Sequence, residues 1–281
     1  MEKRKFTRDE IEAVLREVSA ALERRCEAYI IGGLAMMHHG AKLATKDIDI
    51  VFRERRQTLD FVRNLQRIGF ADVSARRARR GNLRTVWILA RPDAMRFDIF
   101  DREVCDCLAL SDAMAARSVP KALPGNLALR VISPEDIFLL KSVTARDDDM
   151  ADMAKVARKG LDWMAIEHEL RAQPAFWNWV AHHYVKLTEL EERYAVRSPL
   201  KRRFRKDAEL AAGMACLAYE LEKRPLSVRE ASVALKERSD RFGRAVLEKM
   251  VELGTVRKAG INTDSRKNGD REETIKISCK L

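Results

Sequence analysis

Long hydrophobic runs are missing from this chain: none approaches the roughly 18 residues needed to span a bilayer, and the charged start Met1 to Glu12 has no apolar core of a signal peptide. The expectation is a cytoplasmic protein with no membrane partner. Cysteine is sparse as well. Cys26, Cys105, Cys107, Cys216 and Cys279 are odd in number, with no Cys-x-x-Cys pair and no histidine at zinc-finger spacing, which argues against a disulfide framework or a structural zinc. The Cys105-Asp106-Cys107 triplet offers a soft metal only two thiols. No Gly-x-x-x-x-Gly-Lys-Ser/Thr loop and no His-Glu-x-x-His occurs, so P-loop ATPases and zinc proteases lack their motifs. Internal repeats and long low-complexity segments are absent too.

What is present is a chain of 281 residues, 46% hydrophobic, with a net charge of +11. That composition supports one large or two medium packed domains. The basic balance favours a polyanionic partner, nucleic acid or nucleoside triphosphate, without choosing between them.

Tyr29 to Phe52 carries the chemistry. It predicts strand, glycine turn, helix, strand. Gly32 and Gly33 let the backbone bend tightly ahead of a helix and bring N–H groups close to an anion. In the second strand Ile48 and Ile50 point one way and Asp47 and Asp49 the other, about 7 Å apart by strand rise. Two carboxylates that close repel unless a cation lies between them, so the pair suggests a hard metal, Mg²⁺ first. Taken alone, Asp-x-Asp also fits the solvated face of an edge strand.

A later strand, Met95 to Phe100, carries Asp98 between Phe97 and Ile99. A carboxylate in an apolar strand wants a cation or a donor. Asp101 is the alternative, one residue beyond that strand. Ser133-Pro134-Glu135-Asp136 predicts a helix start, with cap, first-turn proline and acids in order. Lys141 lies inside that helix, followed by Arg146 and the acids Asp147, Asp148, Asp149 and Asp152, a run that is most often a solvated face.

Ile31-Gly32-Gly33, a spacer from Leu34 to Lys46, and then Asp47-Ile48-Asp49-Ile50 together resemble the signature of the nucleotidyltransferase superfamily that includes DNA polymerase β. Thr45 also matches many minimal members. Ser-Pro-Glu-Asp, Lys141, Arg146, Asp149 and Asp152 resemble the downstream block of minimal members of the abortive-infection, toxin–antitoxin type. The resemblance covers roughly residues 10 to 165. It implies an α/β (α+β) fold with a mixed sheet flanked by helices. It also implies two Mg²⁺ ions on Asp47, Asp49 and Asp98, these three being the catalytic residues, and a nucleotide held by Gly32, Gly33, Thr45, Lys141, Asp149 and Asp152. In this picture Lys141 neutralises the triphosphate as a mobile point charge. The implied chemistry moves a nucleoside monophosphate from a triphosphate to a tRNA 3′ end or a protein hydroxyl, with an antitoxin protein as a possible partner.

The remaining elements follow from patterning. Thr7 caps a first helix, Gln57 to Ile68 forms another, and Leu34 to His39 is a short helix stopped by Gly40. His38 and His39 at its end suit a core or surface role, or contact with a base. The arginines around Gly81-Asn82 suit a solvated turn or a phosphate-binding tip. Leu161 to Tyr194 is helical and aromatic, and Arg197 to Lys206 suits a linker or a phosphate-binding arm.

From Ala195 onward 21 Lys and Arg stand against 13 Asp and Glu, so most of the net positive charge is concentrated there. Three predicted helices and a hairpin resemble a winged helix. That would aim Arg241 and Arg244 at a groove and put Arg266 and Lys267 in the wing. The predicted division is a nucleotidyltransferase domain over residues 1–165, a helical connector and basic linker over 166–206, and a winged-helix-like domain over 207–281. The rival expectation is a DNA-binding regulator whose transferase domain is non-catalytic and binds nucleotide or a partner. Transfer to a small antibiotic is a third, with little use for a basic winged helix.

Overall fold

In a computed structural model, the protein is described over residues 4–74, 87–92, 95–104, 107–144, 146–236, 240–259 and 276–279. The chain divides into two compact units, Met1–Trp179 with Val185–Leu200, and Val180–Tyr184 with Lys201–Leu281. The first is a mixed α/β unit. The basic turn around Gly81-Asn82, the Cys105-Asp106 pair, and Arg266 and Lys267 lie outside the described residues.

Helix α1 (Arg8–Ala21) opens with a full capping box, in which the Thr7 hydroxyl accepts from the Glu10 N–H and Glu10 reaches back to the Thr7 backbone. Its buried stripe is Ile11, Val14, Leu15 and Val18. Strand β1 (Cys26–Ile30) leads into α2 (Gly32–His38), β2 (Ile48–Phe52) and α3 (Arg55–Arg67). Short β3 (Ala71–Asp72) and β4 (Trp87–Ala90) precede β5 (Arg96–Asp101). Next come β6 (Glu103–Val104), β7 (Leu108–Ala109), α4 (Asp112–Arg117), β8 (Val119–Lys121) and β9 (Leu127–Val131). The main sheet runs β3-β4-β5-β2-β1-β9-β8. Parallel pairs are β1 with β9 and β2 with β5, and the other neighbours are antiparallel. The core is dense in phenylalanine: Phe52, Phe61 and Phe97 are fully buried, and Phe61 and Phe70 each pack edge-on to Phe97 at 5.8 and 5.3 Å.

Helix α5 (Pro134–Ser142) starts where expected: the Ser133 hydroxyl accepts from the Asp136 N–H and Pro134 fills the first turn. Arg117 pins that start, 2.6 Å from buried Asp136 and 2.7 Å from Glu169. Then follow α6 (Asp147–Ala157), α7 (Trp163–Ala172) and α8 (Phe176–Tyr194).

Helix α9 (Pro199–Lys223) takes in most of the basic stretch 197–206. Its basic stretch is helical because proline is tolerated in the first turn, where its missing N–H would have no partner. The Ser198 hydroxyl accepts from the Leu200 N–H, and Leu200, Phe204, Ala208 and Ala211 recur at helical spacing as buried residues. Helices α10 (Val228–Ala234) and α11 (Asp240–Glu252) follow, then the antiparallel strands β10 (Val256–Ala259) and β11 (Lys276–Cys279). A capping box of Ser227 with Glu230 starts α10, and Gly254 at φ +67° follows α11. Arg241 and Arg244 are exposed on α11. Among the described residues no helix is long and apolar enough to cross a membrane.

Close approach of α10 and α11 depends on Gly243, where an added Cβ would lie 2.2 Å from Ser232 Oγ and 2.9 Å from its backbone nitrogen. In an open helix Gly→Ala stabilises by about 0.5–1 kcal/mol. Here Gly243→Ala should destabilise by about 1–3 kcal/mol through overpacking, read as a lower urea midpoint. A raised midpoint would contradict this packing.

Candidate active site

Gly32 and Asp49 fit together as a pair. Gly32 opens α2 with φ +61°, and a Cβ there would sit 2.1 Å from Asp49 Oδ2. Only glycine suits that backbone and that contact. A backbone bond from the Ile31 N–H to the Asp49 carbonyl, 3.1 Å, ties the turn to β2. Gly33 is equally crowded, its would-be Cβ lying 2.4 Å from Thr45 Oγ1. Thr45 is buried, donates to the Asp47 carbonyl at 3.2 Å, and exchanges backbone bonds with Phe6. It therefore positions Asp47 from behind.

Asp47 falls in a bend one residue ahead of β2 rather than on the strand itself. Asp98 lies on β5 directly opposite Asp49 in parallel register, and it is buried. Two adjacent strands and the bend before β2 thus bring Asp49, Asp98 and Asp47 near one another. Asp101 does not join them: it pairs with Phe52 in the register, takes Arg55 at 2.7 Å and accepts from the Thr58 hydroxyl at 3.1 Å. Asp49 is half-buried, and its carboxyl is pushed well above the usual carboxylate range by burial first, then by the charges of Asp47 and Asp98. Arg146 and Lys141 pull it back in part.

Patterning had not singled out Arg96. Its Nε lies 2.6 Å from Asp98 Oδ1, its Nη2 donates to Asp98 Oδ2 at 2.6 Å, and the same nitrogen reaches Asp47 Oδ2. The signal was available: Arg96 and Asp98 are two apart on a strand and so share a face.

Lys141, Asp149 and Asp152 form a brace between α5 and α6. The Lys141 ammonium is 2.5 Å from Asp149 Oδ1 and 2.9 Å from Asp152 Oδ2, and all three residues are buried. The Thr144 hydroxyl donates to Asp149 Oδ2 at 2.5 Å. Burial would depress the Lys141 ammonium, but the two aspartates outweigh it and raise its pKa. Burial would likewise raise both aspartates, yet Lys141 leads a set of partners that holds each below the usual carboxylate range. So Lys141 is a fixed, engaged charge rather than a mobile one. Cations with exposed surface stand at its rim: Lys42, 3.1 Å from Asp152, Arg146, 2.9 Å from Asp149, and Lys155, 3.5 Å from Asp152. Lys42 left no signal in the sequence, since its partner is 110 positions away. Of the two histidines, His39 Nε2 donates to the Ile132 carbonyl at 2.8 Å, a structural bond.

The donor set suits a divalent ion, since three hard carboxylates crowd one face and raise Asp49 by their own repulsion. Yet among the described residues no three acidic, histidine or cysteine side chains are gathered into a ready metal cluster. Arg96 stands between Asp47 and Asp98.

A family model described as "Nucleotidyltransferase of unknown function (DUF6036)" matches residues 9–194. The chain belongs to this family. Comparison with curated proteins gives no match. The glycine turn, the three acids and the Lys141 brace all fall inside the stretch shared by this nucleotidyltransferase family, whereas α9 to β11 fall outside it.

Three outcomes are expected of this cluster. Lys141→Met leaves Asp149 and Asp152 only their more exposed cationic partners, so stability should drop by about 1–3 kcal/mol in urea titration. The wild-type brace should contribute evenly from about pH 5 to 10: lowered carboxylates give stability that is lost only as pH falls through their folded values, and a raised lysine keeps its charge until pH passes its own. Asp49→Asn in chelator should stabilise by about 1–3 kcal/mol at pH 8. Because a raised carboxyl loses stability as pH rises through its folded value, that gain should vanish on acidification. A gain that grew toward low pH would contradict the assigned repulsion.

Proposed function

We propose that this nucleotidyltransferase moves a nucleoside monophosphate from a nucleoside triphosphate to an acceptor hydroxyl, with Mg²⁺ as cofactor. The observation that carries the reading is the convergence of Asp49 and Asp98 in register, with Asp47 beside them, against the Gly32 turn. The acceptor oxygen attacks the α-phosphorus, the bond from that phosphorus to the bridging oxygen of the β-phosphate breaks, and pyrophosphate leaves. Asp47 and Asp49 would hold the ions, and Asp98 would share one. Bound Mg²⁺ would supply Lewis acidity and charge neutralisation at the attacking and departing oxygens. Asp98, buried between apolar neighbours, would also help take the acceptor proton.

Gly32 and Gly33 would give backbone N–H groups to phosphate oxygens, with no Cβ to hold the nucleotide off. Lys42 and Arg146 would meet the triphosphate, each oriented by one carboxylate of the Lys141 brace. Those two carboxylates and Lys141 therefore belong to the nucleotide site as positioning residues. Thr45 would act in the same way behind Asp47.

The acceptor we favour is a tRNA 3′ end or a protein hydroxyl, in a toxin–antitoxin or defence setting, within the cytoplasm. The basic unit that follows supports a nucleic acid: exposed Arg241 and Arg244 on α11 sit in a set of three helices and an antiparallel strand pair, the content of a winged helix. The same observation favours a second reading, a DNA-binding regulator with a non-catalytic transferase domain.

Purified protein incubated with each α-labelled nucleoside triphosphate, Mg²⁺ and total RNA decides between them. Label should move to RNA or to protein, and an Asp47→Ala, Asp49→Ala double variant should lose at least about a hundredfold of that transfer. No movement of label, together with salt-dependent shifting of duplex DNA, would instead favour the regulator.

A further inference from the structure

Arg96 engages the same carboxylates that the reading above assigns to metal. Its Nη2 donates to Asp98 Oδ2 at 2.6 Å and to Asp47 Oδ2, and its Nε stands in ion-pair contact 2.6 Å from Asp98 Oδ1. Its side chain is only 13% exposed, so these contacts are shielded from salt. Mg²⁺ needs carboxylate oxygens at about 2.0–2.1 Å in near-octahedral geometry, and no such ion fits between the Asp98 oxygens and guanidinium nitrogens already 2.6 Å from them. The arginine and an ion on Asp98 therefore exclude each other.

The exclusion is one-sided. Asp49 is not on the fork: it lies against Gly32, and the cations that act on it are Arg146 and Lys141. Asp47 gives the fork Oδ2 alone, leaving Oδ1 clear of it. An ion on Asp47 and Asp49 can coexist with Arg96, whereas an ion on Asp98 cannot.

We propose that Arg96 is a cationic latch: it neutralises Asp47 and Asp98, and it must leave Asp98 before the ion that Asp98 shares can bind. The inference rests on the metal-site reading. Its chemistry is a charge exchange, in which a divalent ion replaces one guanidinium and the freed guanidinium needs a new anion. The incoming triphosphate or a phosphate of the acceptor supplies one. A bidentate fork is suited to both positions, gripping a carboxylate in one and a phosphate in the other. The latch thus completes the metal site only when substrate is present. It also explains why the three acids are close in the fold yet not gathered into a ready cluster.

The test is Mn²⁺ binding to the nucleotide-free full-length protein, followed by the paramagnetic signal of the free ion. Arg96→Gln should bind Mn²⁺ about tenfold or more tighter than wild type, since close charge pairs couple by at least that much, and should take up one more ion per chain. In chelator its thermal midpoint should fall below wild type, and Mn²⁺ should raise it by more degrees. Arg96→Lys keeps the charge without the fork and should lie between the two. It carries the test if the glutamine variant does not fold, and binding no tighter than wild type then overturns the latch. Equal affinity and equal stoichiometry in wild type and Arg96→Gln, with binding lost in Asp47→Asn, Asp49→Asn, would overturn the latch and leave the metal reading standing. Unchanged binding in that double variant would place the ions elsewhere and remove both.

Discussion

Three carboxylates placed within reach of one another, two on adjacent strands of a packed sheet and one in the bend before them, are the constraint on which the rest of this protein depends. Left to themselves Asp47, Asp49 and Asp98 repel, and burial sharpens the repulsion until Asp49 resists ionising. A fold that tolerates this must answer it with positive charge. It does so at two levels: Arg96 grips Asp47 and Asp98 from inside the sheet, and Arg146 and Lys141 act on Asp49 from the helical side. The Lys141 brace is then not an isolated salt bridge. Its two aspartates hold Lys141 and orient Lys42 and Arg146, so a cluster of fixed charge stands beside the acids without collapsing onto them.

Geometry makes the arrangement possible only because glycine is where it is. With Asp49 Oδ2 lying 2.1 Å from where a Gly32 Cβ would be, the turn and the acid occupy a single shared volume. The positive φ of Gly32 starts α2 at once, directly beside β2. Sheet order does the rest. Parallel pairing of β2 with β5 sets Asp49 against Asp98, and the bend before β2 swings Asp47 toward the same arginine.

Much of this was legible in the residues. Gly32, Gly33, Asp49 and Asp98 announce themselves through local pattern, because a glycine pair before a helix and an acid inside an apolar strand each break a rule that ordinary packing obeys. The helix starts at Thr7 and Ser133 were likewise readable, since caps are local chemistry. The long-range partners were not. Lys42 and Asp152 meet across 110 positions, and the fate of Lys141 as a buried brace is decided by where α6 lands. Basic residues 197–206 suited a linker or a phosphate-binding arm, and Leu200 and Phe204 at helical spacing carry most of them into α9. The functional placement of the second unit has no such anchor in the shared family stretch, which ends at residue 194.

The most direct measurement of the central claim is a crystallographic anomalous difference map of the protein with Mn²⁺ and a triphosphate analogue whose α–β bridge resists cleavage. Manganese peaks are expected on Asp47, Asp49 and Asp98, with the α-phosphate beside them and the β- and γ-phosphates against the Gly32 turn, Lys42 and Arg146. Nucleotide and metal bound anywhere else, with those three carboxylates untouched, would contradict that claim.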